Sequence, residues 1–114
     1  MPAIYTADIK SDRPSATQAP RRVDMALAMA RISGASVVKL IHGYGSTGQG
    51  GAIRIEARRY LGVLKAKGKI KAFIPGEDFS IFSADTRSAL QACAALRQDL
   101  DLDRQNNGIT IILL

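Results

Sequence analysis

The feature that most restricts the fold of this chain is the alternation of short β-branched runs with longer stretches of helical spacing. Ser36 to Ile41 (Ser-Val-Val-Lys-Leu-Ile) is too short for a helix and suits a buried, pleated surface. Ile109 to Leu114 is a continuous apolar run of the same kind, and Ile70 to Ile74 is a third, stopped by Pro75-Gly76. From Ala3 to Lys10, Tyr5, Ala7 and Ile9 alternate with Thr6, Asp8 and Lys10, the period of a half-buried strand. Phe79 to Phe82 fits either a short edge strand or a loop.

Between these runs the period changes. A helix is expected from about Ala19, with Ser15 or Thr17 as its cap, Pro20 in its first turn and Gly34 as its stop. Val23, Leu27 and Ala30 make its apolar stripe. A second helix is expected from about Ala52 to Lys67, with Ile53, Ala57, Tyr60, Leu61 and Leu64 on one face and Gly68 at its end. A third spans Asp85 to Asp99, with Leu90, Cys93, Ala94 and Leu96 on its pattern. The order is β-α-β-α-β-α-β. Helical crossovers between strands are right-handed and place helices against a sheet. The expected fold is therefore an α/β two-layer sandwich with a mixed sheet of about four strands and two or three helices. The last strand is expected at a sheet edge, where a second copy of the chain can pair with it.

Composition narrows the class further. A single domain of 114 residues buries roughly 60–70% of its unfolded surface, enough for one core without a metal or disulfide staple. Cys93 is the only cysteine, so no internal disulfide forms and a zinc site lacks thiolates. Its apolar setting, Ala92-Cys93-Ala94-Ala95, marks it as a small core residue. The start Met1-Pro2-Ala3-Ile4-Tyr5 has no secretory pattern, and no apolar run reaches the length of about 18 residues that a membrane span needs. A cytoplasmic location is the default expectation.

The net charge of +6 favours an anionic partner, nucleic acid being the commonest. Between Arg54 and Lys71 only Glu56 interrupts Arg54, Arg58, Arg59, Lys65, Lys67, Lys69 and Lys71, while Asp99, Asp101 and Asp103 form an acidic counterweight.

Chemistry concentrates in His42 to Gly51, which holds five glycines in ten residues. Gly43-Tyr44-Gly45-Ser46-Thr47-Gly48 satisfies G-x-G-x-x-G between a strand and a helix, a setting in which backbone amides and a helix N-terminus approach an anion. A dinucleotide fold wants an acidic residue about 20 positions on, where Val63 stands instead. A nucleoside-triphosphate loop wants Gly-Lys-Ser or Gly-Lys-Thr, which the chain does not contain.

The run Val38-Lys39-Leu40-Ile41-His42-Gly43-Tyr44-Gly45, followed by Gly51-Ala52-Ile53-Arg54, resembles the signature of the Smr (small MutS-related) domain family. In that family a strand ends in His-Gly-x-Gly, and a glycine with a Leu-Arg-like pair opens the next helix. Gly108 to Leu113 resembles the family's closing glycine-led strand. The likeness covers Tyr5 to Leu114 in element order and is specific over the residues around His42. Ala7-Asp8-Ile9-Lys10 stands where the family usually has Leu-Asp-x-His, keeping the carboxylate and replacing the histidine by lysine. Within this frame residues 1–114 make one domain, and residues 76–108 form an insertion with an extra helix.

The resemblance implies binding of DNA or RNA. Lys10, His42, Gly43, Tyr44, Gly45, Gly48, Gly51, Arg54 and Arg58 are the candidate contacts, a donor-rich set suited to a phosphate backbone. It also implies structure-selective nicking in some members, for which Asp8 and His42 are the candidate catalytic pair. No resident metal or cofactor is expected, a divalent cation entering only if the chain is a nuclease. A degenerate module that binds another protein is the third reading.

Overall fold

A computed structural model describes residues 3–11, 15–43 and 50–114. The described residues form an α/β fold: β1 (Ile4–Asp8), α1 (Ala19–Ser33), β2 (Val37–Ile41), α2 (Gly50–Ala66), β3 (Ala72–Pro75), α3 (Ala84–Ala92) and β4 (Ile109–Leu113). The four strands make one mixed sheet in the order β1-β2-β4-β3. β1 and β2 are parallel, and β4 runs antiparallel to both of its neighbours. The last strand is thus central, correcting the expectation of an edge. Ile109-Thr110-Ile111-Ile112, apolar but for Thr110, is buried on both faces, as a central strand requires.

Alternation along the strands separates two cores. Val38, Leu40 and Ile112 face α1 and α2, where they meet Val23, Leu27, Ala30, Ile53, Ala57 and Leu61. This is the helical layer of the sandwich. Val37, Ile74, Ile109 and Ile111 face the other way and are covered by residues 76–108 through Phe79, Ala89, Leu90, Cys93 and Leu96. The expected core cysteine is buried here.

Local chemistry explains the boundaries. Ser15 opens a short 3-10 turn, Ala16–Gln18, its amide donating to the Gln18 side chain at 2.9 Å, and α1 follows directly with Pro20 in its first turn. Gly34 ends α1, its N–H reaching the carbonyls of Ala30 and Arg31. The long third helix of the sequence reading is broken: α3 stops at Ala92, Cys93 is extended, and Ala94–Gln98 continues as a 3-10 turn. Leu90, Cys93 and Leu96 all join the second core across this break. Phe79 to Phe82 forms no strand; Phe79 is fully buried and Phe82 is 87% exposed. Gly76 sits where a Cβ would overlap the carbonyl of Asn106 and the side chain of Ile109, so only glycine closes the two ends of this covering segment.

The parallel strands β1, β2 and β3 all end at one pole of the sheet, where β4 begins. His42 and Gly43, the first turn of α2, Glu77 and Gly108 gather there.

Candidate functional site

His42 follows β2 on the face that carries Thr110, the helical side of the sheet, and its ring is fully buried. Nδ1 lies 2.8 Å from the carbonyl of Gly43, and Nε2 lies 2.8 Å from Thr110 Oγ1. A carbonyl only accepts, so Nδ1 carries a proton; in the neutral ring, Nε2 then accepts from the Thr110 hydroxyl. That hydroxyl in turn accepts from Arg58 Nε at 3.1 Å. In the neutral ring that burial favours, the relay from Arg58 through Thr110 and His42 to Gly43 has one consistent set of proton positions.

The electrostatics agree. Burial drives the His42 pKa down to about 4; the hydrogen bond to Gly43 opposes this, and the charges of Arg58 and Arg54 reinforce it. Arg58, on α2, also grips Glu77 with two bonds of 2.9 and 2.7 Å and reaches the carbonyls of Asn107 and Ile109. Burial alone raises the Glu77 carboxyl, but the Arg58 guanidinium outweighs it and holds that carboxyl below its ordinary range. One arginine thereby ties α2 to both ends of the covering segment.

The backbone of the His-Gly turn is fixed as well. The amides of His42 and Gly43 both donate to the Gly108 carbonyl at 3.0 Å. Gly43 adopts φ +77°, the left-handed region, and a Cβ there would stand 3.2 Å from Cδ of Lys10. The left-handed conformation favours glycine at this point, and the lysine stem lies close across it. Lys10 is half exposed, its ammonium 3.8 Å from Asp8. Arg54 lies in the first turns of α2, partly exposed, close enough to act on His42 and Glu77, with no hydrogen-bond partner among the described residues.

The sequence-derived candidates therefore divide. Lys10 and Gly43 meet at the pole, and Gly51 and Arg54 stand in the first turns of α2. His42 and Arg58 stand directly behind them, engaged in the relay. Tyr44, Gly45 and Gly48 lie outside the described residues. Asp8 and His42 are not brought together: Asp8 alternates with Ile4 toward the second face, while His42 lies on the helical face with Thr110. The Asp8 carboxylate is occupied by the amides of Lys10 and Ser11, at 2.9 and 3.1 Å. Burial tends to raise the Asp8 pKa, but these bonds, with the Lys10 charge, lower it overall. The described residues hold no cluster of histidine, cysteine and carboxylates arranged for a metal ion.

Sequence reasoning missed Thr110 and Glu77. Thr110 is the only polar side chain in the buried part of β4, a clue to a buried partner. Nothing local distinguishes Glu77 from any other carboxylate after a turn. Within the acidic counterweight Asp99 to Asp103, Asp99 and Asp101 are taken up internally: Lys39 reaches them at 3.0 and 2.6 Å in a largely buried triad on the second face. Asp103 accepts the amide of Ile81.

No protein-family model, curated protein or solved structure matches the chain. Among the described residues, no helix is long and apolar enough to cross a membrane.

Proposed function

We propose that the chain binds the phosphate backbone of a nucleic acid at the pole formed by Lys10, the Gly43 turn and Arg54 at the start of α2. The observation that carries this reading is the placement of two cations, neither buried, at the carboxyl ends of the parallel strands: Lys10 lies across Gly43, and Arg54 in the first turns of α2 acts on His42 and Glu77. Ligands of α/β sheets bind outside those ends, and a helix N-terminus there adds partial positive charge. The net charge of +6 and the resemblance of His42-Gly43-Tyr44-Gly45 and Ile53-Arg54 to the Smr signature support the same reading. His42 and Arg58 serve it from behind, by fixing the turn and α2.

The separation of Asp8 from His42 gives a cleavage mechanism no support, so nicking is not part of the proposal. Binding rests on charge and backbone contacts, and it is expected to be insensitive to base sequence and strongly weakened by salt. A gel shift with single-stranded, duplex and branched DNA and RNA tests it. The expected result is a retarded complex at low salt, about 50 mM, that dissolves as salt is raised. No complex with any of these probes at low salt overturns the proposal.

A further inference from the structure

The two edges of the sheet are unequal. β3 is short, ends in Pro75 and is preceded by Lys69 and Lys71, features that discourage pairing with another strand. β1 has no proline among its residues, and its charges, Asp8 and the following Lys10, are confined to one end. Among the described residues it pairs with β2 alone, and no charge occurs from Ile4 to Ala7.

The direction of the free backbone groups of β1 follows from its bonds to β2. The Ala3 carbonyl accepts from Val37, and the Ile9 amide donates to Ile41, so the odd-numbered residues face β2. By alternation Ile4, Thr6 and Asp8 direct their amides and carbonyls outward. Beside this edge runs a groove of about 270 Å³, lined by Tyr5, Ala7, Arg22, Met25 and Met29 among others. Met25, Met29 and Ile32 stand on one side of α1, 61%, 50% and 80% exposed, at a spacing that makes a second apolar stripe distinct from the core stripe.

We propose that the β1 edge is the pairing surface for a second copy of this chain, joined antiparallel about a two-fold axis at Thr6. The register is dictated by the outward groups. It sets Thr6 against Thr6 of the second copy and Ile4 against Asp8 of the second copy, each pair exchanging an amide and a carbonyl. Tyr5 then lies opposite Ala7 on the helical face. The occupant is a copy of the chain because the edge is complementary to itself. Its charges, Asp8 and Lys10, sit at one end, and antiparallel pairing lays that end against the uncharged end of the partner strand, so no like charges meet. The axis stands perpendicular to the sheet, which keeps both helical layers on the same side and turns the two methionine stripes toward each other across the junction.

Sedimentation velocity of the full chain from micromolar to millimolar concentration tests the pairing. A concentration-dependent dimer is expected. Thr6→Pro removes an outward amide and none directed at β2, and Met29→Lys places charge on the stripe; each is expected to weaken the dimer about tenfold with an unchanged circular dichroism spectrum. Should Thr6→Pro fail to fold, Met29→Lys, at an exposed side chain, carries the test. Thr6→Cys is expected to form an intermolecular disulfide on mild oxidation, because directly opposed bonded residues lie about 5.5 Å apart, within disulfide reach. Ala72→Cys on the β3 edge is expected to form none. A monomer at millimolar concentration, a dimer untouched by Met29→Lys, or equal crosslinking through Ala72→Cys overturns the proposal.

Discussion

The two faces of the sheet each enclose polar side chains, and they do it with opposite chemistry. On the helical face a neutral imidazole is held by a hydroxyl and a carbonyl, with Arg58 and Glu77 completing the relay at its wetter end. On the second face a charged ammonium, Lys39, is clamped between Asp99 and Asp101. The first arrangement depends on proton positions and opens onto the candidate interface. The second depends on charge balance and only fastens the covering segment to β2. Burial tends to lower the Lys39 pKa, but its bonds to Asp101 and Asp99 outweigh that and raise it, so this lysine stays charged at all ordinary pH.

The largest effect expected from breaking the comparison falls on the charged side. Lys39→Met leaves two carboxylates with little water and no counter-ion, and is expected to cost about 3–5 kcal/mol in urea unfolding at neutral pH. A loss below about 1 kcal/mol would mean that the apolar cluster alone fastens residues 76–108.

Acid separates the faces next. The folded His42 pKa of about 4 lies below its ordinary value of 6.5, so the unfolded chain takes up the proton first as pH falls. The stability it contributes is complete above pH 6.5 and is lost on the way down to about 4, a total of about 3 kcal/mol. Asp101 gives nothing away in that window. Asp101, whose bond to Lys39 overcomes the raising effect of burial, is held below its ordinary 3.8, and its contribution is lost only in stronger acid. Urea unfolding across this range in the wild type and in His42→Gln checks the assignment, since the variant is expected to lose the slope.

Thr110→Val tests the relay more gently. It strips the acceptor from Arg58 Nε and the donor from His42 Nε2, for an expected cost of about 1–2 kcal/mol at neutral pH. Lys39→Met and Thr110→Val touch different faces and share no partner, so their costs should add within about 0.5 kcal/mol. The smallest stability change is expected for Arg54→Ala, within about 0.5 kcal/mol, because this side chain bonds nothing among the described residues. Its loss should appear in nucleic-acid affinity instead.

Elements whose signals are local were legible in the sequence. α1 and α2 follow from their apolar spacing with Gly34 and Gly68 beyond their ends, and the four main strands from β-branched runs bounded by turns. The position of β4 was not legible, because a continuous apolar strand announces burial on both faces without naming its neighbours. The break at Cys93 was hidden because no glycine or proline marks it between Ala84 and Gln98. In the candidate site, His42 and Gly43 stood out by their glycine-rich setting, and Lys10 and Arg54 through the resemblance to the Smr signature. That the imidazole would turn inward depended on Thr110, far away in the chain, and no reading of His42 alone anticipates it. The parity that sends Asp8 to one face and His42 to the other became readable only with the register of β1 on β2.

The account's central claim is that Lys10 and Arg54 meet phosphates at the pole of the sheet. Its most direct test is the slope of log affinity against log salt for one single-stranded probe, measured for the wild type and for Lys10→Ala with Arg54→Ala. Each phosphate contact contributes about 0.7 to that slope on single strands, so the double variant is expected to flatten it by about 1.4. An unchanged slope in a folded double variant would place any nucleic-acid binding elsewhere on the molecule and contradict the claim.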